Sequence, residues 1–95
     1  MSEYIELYTD GRGTYRAHEL LVEAVTLQAQ WRVPQLHGDR TFTAREVIHD
    51  CFWRQLTMGE RILVGRIFAW LVYHAELPFQ FMAPGKYPLR YILPG

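Results

Sequence analysis

The chain has 95 residues, of which 49% are hydrophobic and 15% aromatic, enough for one packed domain and too few for two. Ten acidic residues balance ten basic ones, which excludes a strong overall attraction to a polyanion, and the longest apolar stretch, 62–73, is broken by Arg66 and falls short of the roughly 20 residues of a membrane span. The lone cysteine, Cys51, cannot close an internal disulfide, and an acidic start without an apolar run is no secretory leader, so a cytoplasmic protein is expected.

Taken in chain order, the first element is a strand. Tyr4-Ile5-Glu6-Leu7-Tyr8 alternates and is rich in β-formers, and Asp10-Gly11-Arg12-Gly13 reads as a turn. That glycine pair lacks the further glycine and the Lys-Ser/Thr ending of a phosphate loop. From about Thr14 to Gln30 the apolar residues Leu20, Leu21, Val22, Ala24, Val25 and Leu27 recur at helical spacing without an interrupting proline, which predicts a helix. Pro34 and Gly38-Asp39 end it.

Arg40-Thr41-Phe42 reads as a short extended piece leading into Thr43-Ala44-Arg45-Glu46, a capping box that starts a helix near Ala44. Val47, Ile48, Cys51 and Phe52 then form one apolar stripe, so Cys51 is expected to be protected in the folded state. A second box, Thr57-Met58-Gly59-Glu60, starts another helix that should reach about Ala75. Leu63, Val64, Ile67, Phe68 and Leu71 occupy one arc of it, and Ile62, Arg66, Ala69 and Tyr73 the other. Finally, Pro78 to Met82 and Tyr87 to Leu93 flank a Pro84-Gly85 turn signal, which predicts a hairpin with Pro88 at an edge or strand start.

The run Phe42-Thr43-Ala44-Arg45-Glu46-Val47, then Trp53, then the patterns L-x-x-G-E-R (56–61) and L-x-G-R-x-F (63–68), followed by the aromatic hairpin, resembles a family of small bacterial proteins of unassigned function. The resemblance covers about residues 42–93. It implies a winged-helix-like fold, with 44–52 and 58–75 as the paired helices and 79–93 as the wing, and it carries no catalytic residues. The expected architecture is therefore a single α+β domain over 1–95. An N-terminal strand and helix (1–39) precede a helix-turn-helix-like core with a C-terminal hairpin (40–95), about three helices in all.

No candidate for catalysis emerges. The one serine is Ser2 and no G-x-S-x-G is present, and the Glu46, His49, Asp50 group on a helix reads as a solvated face. The four histidines and Cys51 show no metal-ligand spacing, so neither a metal nor a cofactor is expected. Charge is polarised along the chain: residues 1–39 carry three basic against six acidic groups, and residues 40–95 carry seven against four. Two kinds of partner follow. A basic face of Arg45, Arg54, Arg61, Arg66, Lys86 and Arg90 would dock on DNA phosphates, as in a DNA-binding or regulatory accessory protein. Alternatively, aromatics and arginines would form a protein–protein module, such as an inhibitor, an antitoxin-like partner or a homodimer paired through Ile62, Ala69 and Tyr73 or through a sheet edge near Tyr87 to Leu93.

Overall fold

The computed structural model describes residues 3–8, 14–36, 38, 40–82 and 89–94. Within them the protein is α+β, with two small antiparallel sheets and four α-helices. Strand β1 (Tyr4–Tyr8) pairs with β2 (Thr14–His18) in a register that sets Ile5 opposite Ala17 and Glu6 opposite Arg16. Leu7 and Ala17 are buried, whereas Tyr4, Glu6 and Arg16 face solvent, the period-two pattern of a half-buried hairpin. The predicted turn at 10–13 lies outside the described residues.

Residues 14–18 are thus a strand, not the first turn of the predicted helix. The helix α1 (Glu19–Arg32) begins five residues later, where the His18 ring accepts a hydrogen bond at Nδ1 from the Leu20 amide (3.1 Å). Thr14 and Tyr15 are β-formers, and β1 supplies a partner that helix propensity alone does not anticipate. Val22, Val25 and Ala29 form the buried face of α1. A 3₁₀ turn (Val33–Gln35) closes the segment, with Pro34 in its first turn.

Strand β3 (Thr41–Phe42) leads into α2 (Ala44–Val47), whose capping box is complete: the Glu46 amide donates to Thr43 Oγ1 (3.3 Å) and the Thr43 amide to Glu46 Oε1 (3.0 Å). The predicted continuous helix breaks here. Ile48 is extended, and His49 caps a new helix, α3 (Asp50–Arg54), by accepting at Nδ1 from the Cys51 amide (3.1 Å), while its own amide donates to Gln28 Oε1 (3.2 Å). Local side-chain bonds of this sort compete with helix continuation. The break lets the adjacent Val47 and Ile48 both point inward and turns Cys51 out to solvent. Cys51 is therefore not protected, contrary to the stripe read from the sequence. A thiol reagent should label it under native conditions at a rate within about tenfold of a free thiol. Labelling only on unfolding would restore the continuous-helix assignment.

Helix α4 (Met58–Tyr73) carries most of the core: Val64, Ile67, Phe68, Ala69, Leu71 and Val72 are buried. Thr57 caps it, accepting from the Glu60 amide (3.2 Å) and donating its own amide to Glu60 Oε1 (2.8 Å). Hydrogen bonding of the Glu60 carboxyl to the Thr57 backbone, and then to the Thr57 side chain, holds that carboxyl below its usual range against a smaller opposing desolvation. Thr57→Ala should cost about 0.5–2 kcal/mol in a urea melt; an unchanged midpoint would show that the cap contributes nothing. The helix ends two residues before the expected Ala75. Ala75 itself is left-handed (φ 58°), and the Glu76 amide reaches Leu71 O (2.9 Å) while the Ala75 amide reaches Val72 O (3.1 Å), a Schellman closure in which alanine stands where glycine is usual.

The chain then returns as β4 (Gln80–Phe81) and β5 (Tyr91–Ile92), which pair antiparallel as the hairpin reading predicts. The order of the three-stranded sheet is β3-β5-β4. Strand β5 is central, so the segment ending at Leu93 is not the free edge proposed for strand addition; Lys86, Tyr87 and Pro88 lie outside the described residues. Phe68 meets Tyr91 (4.8 Å between ring centroids) and Phe79 (5.3 Å), and Phe79 meets Phe42 (6.2 Å). This aromatic cluster joins α4 to the sheet. The β1–β2 hairpin and α1 pack on other sides of α4. Ala69 is buried, while Ile62 and Tyr73 stay exposed, so the trio read as one contact face is divided by the monomer's own packing.

Candidate interaction groove

Three segments converge beside the outer face of α4. The start of α2 brings Arg45, α3 brings Trp53, and α4 brings Arg61, Ile62, Gly65 and Arg66, with Leu89 and Tyr91 closing the β5 side of a groove of about 630 Å³. The α4 residues fall at i, i+1, i+4 and i+5, one strip of a helix. Gly65 lies in the middle of that strip. A Cβ added there would meet nothing within 4 Å, so no packing demand keeps this residue small, and its lack of a side chain leaves the groove wide.

Trp53 organises the arginines. The guanidinium carbons of Arg45 and Arg61 lie 5.3 and 5.6 Å from its ring centroid, and Arg61 Nε donates to the Trp53 carbonyl oxygen (3.2 Å). Arg66 stands 4.8 Å from the ring of Tyr15, on the β1–β2 hairpin. Cations held against aromatic faces keep their charge while their flat surfaces are fixed in place. The groove thus combines an apolar floor with oriented guanidinium groups on its walls.

Not every predicted basic residue joins this site. Arg45 also pairs with Asp50, as does Arg54, whose Nε is 2.8 Å from Asp50 Oδ2. The hydrogen bond from Arg45, with the added charges of Arg54 and His49, holds the Asp50 carboxyl below its usual range despite some opposing desolvation. The pair is therefore intact at neutral pH and is lost only in acid, as pH falls through that lowered value. Arg54 is not among the groove's lining residues. Arg90 is on the strand side, its Nη1 donating to Thr41 Oγ1 (3.0 Å), and Lys86 lies outside the described residues. So Arg45, Arg61 and Arg66 are brought together, and Arg54 and Arg90 are not. Trp53 enters the sequence reading only through the resemblance, and Gly65 within the groove and Tyr15 beside it under Arg66 do not enter it as site residues. The strip on α4 was readable from its spacing, but the approach of α3 and the hairpin is a tertiary event.

Among the described residues no three His, Cys, Asp or Glu side chains are grouped so as to hold a metal ion, and no helix is long and apolar enough to cross a membrane. Comparisons with models of protein families, with curated proteins and with solved structures find no match to this chain.

Proposed function

We propose that the protein is a non-enzymatic binding module on a winged-helix-like scaffold, and that it takes a protein partner in the arginine-walled groove. The observation that carries this reading is the groove itself, in which a tryptophan, oriented arginines and an open glycine position surround an apolar concavity. Interface hot spots favour tryptophan and arginine in pockets of this kind. Exposed Met58 and Ile62 continue the apolar surface along α4, and Asp50 already neutralises part of the charge of Arg45 and Arg54. The scaffold reading is supported by the order α1, β3, the α2–α3 pair, α4 and a β4–β5 hairpin, with β5 inserted between β3 and β4.

A DNA-binding module is the second reading. It is favoured by the position of α4 as the second member of a helix pair, with Arg61 and Arg66 on its outer strip and Arg90 immediately before β5. Gly65→Trp tests the first reading, because a Cβ at this position meets nothing within 4 Å and the ring beyond it would occupy the groove. Peptides selected from a random display library on the wild-type protein should lose binding to this variant; peptides that bind both equally would remove the groove from the function. Anisotropy with a random duplex at low salt tests the second reading. Three phosphate contacts give a slope of about −2.7 in log K against log salt, and no micromolar binding would end it.

A further inference from the structure

Helix α1 is apolar on two opposite faces. Val22, Val25 and Ala29 are turned into the core, yet Leu20, Leu27 and Trp31 remain 65%, 57% and 65% exposed. With 3.6 residues per turn, Leu20, Ala24, Leu27 and Trp31 follow one another at spacings of four, three and four along a single stripe. That is the alternation of a helix–helix seam. A helix with apolar residues on both faces needs cover on both, and the described residues bury only one.

We propose that a second copy of this chain docks on the stripe, pairing α1 with α1 in antiparallel, two-fold fashion. The argument is self-complementarity. A two-fold axis passing between residues 25 and 26 sets Leu20 opposite Trp31 of the second copy and Ala24 opposite Leu27, so that each layer of the seam sets a smaller side chain against a larger one. The same register sets Glu19 at one end opposite Arg32 at the other. In an isologous contact every such pair occurs twice. Antiparallel helix dipoles and the acidic first turn against the basic last turn act in the same sense. A parallel arrangement would instead bring Trp31 against Trp31 and Arg32 near Arg32.

The available area also fits a pair of modest strength. The three exposed side chains leave on the order of 400 Å² of apolar surface per copy, within the range of patches that mark contact sites. Burying both stripes, with the adjoining groove between α1 and α3 that Leu27, Trp31 and Phe52 line, reaches about 1,000–1,200 Å², the lower bound of specific interfaces. Micromolar dissociation is the expectation. This surface is separate from the arginine groove and differs from the Ile62, Ala69, Tyr73 face read from the sequence.

Sedimentation of the full chain should show a monomer–dimer equilibrium in the micromolar range. Leu27→Glu should weaken it about 30-fold or more while leaving the circular dichroism spectrum unchanged. Should that variant misfold, cross-linking decides. In a Cys51→Ser background, an equal mixture of Ala24→Cys and Leu27→Cys proteins should give mixed 24–27 disulfides at well above the twofold excess over each like–like product that random pairing supplies, and a ratio at or below that twofold value would overturn the proposal. Predominant like–like products, a dimer indifferent to Leu27→Glu, or a wild-type monomer at high micromolar concentration would each overturn the proposal, the last leaving the stripe to a different protein.

Discussion

Phe68→Ala is expected to remove about 3–5 kcal/mol, a large part of the roughly 5–14 kcal/mol available to a chain of this size. Phe68 is fully buried in α4 and touches both Tyr91 and Phe79. Those rings are fixed by different elements, Tyr91 by the central strand and Phe79 by the return from α4, so they cannot move together to fill the space. A cavity that fails to collapse adds its own cost to the lost transfer energy. Equilibrium urea denaturation followed by tryptophan fluorescence gives the value directly. A loss below about 1 kcal/mol would mean that the aromatic cluster is not what holds the sheet to the helix.

Ala69→Glu and Tyr73→Glu, one helical turn apart on α4, should behave in opposite ways. Ala69 is 1% exposed and Tyr73 is 47% exposed. A carboxylate at 69 would have to be buried without a partner, or the elements packed on α4 would have to part from it, and either costs several kcal/mol. The expected result is a protein without a cooperative thermal transition. At 73 the same change adds a charge to a solvated position and should alter stability by no more than about 0.5 kcal/mol, apart from the ring contact with His74. If Ala69→Glu melts like the wild type, the monomer does not enclose that face.

The legible parts of the fold were those written in neighbouring residues. Both threonine capping boxes stand where the Thr-x-x-Glu spacing put them, because the bonds that make them span three residues. The two misplaced boundaries share a cause. His18 and His49 each begin a helix by accepting from the amide two residues on, and histidine is not among the residues that normally announce a helix start. With no glycine or proline nearby, the strand at 14–18 merged into α1, and α2 merged into α3. Reading one continuous helix there also turns Cys51 inward. Of the candidate site, the α4 strip from Arg61 to Arg66 follows from helical spacing alone. That Trp53 would receive two of the arginines, and Tyr15 a third, depends on where α3 and the β1–β2 hairpin come to rest, which no local pattern encodes.

The central place of β5 bears on how the molecule folds. Thr41 pairs with Ile92 and Phe42 with Tyr91, so the contacts that complete the sheet join residues about half the chain apart, and neither β3 nor β4 has its strand neighbour until β5 arrives. The capped helices and the β1–β2 hairpin rest on short-range contacts and can form early, whereas closing so long a loop must lose chain entropy before any pairing returns it. Refolding should therefore be paced by the docking of Tyr91 against Phe68. Substitutions along β3 or β5 should slow folding more than they hasten unfolding, if that docking belongs to the rate-limiting step.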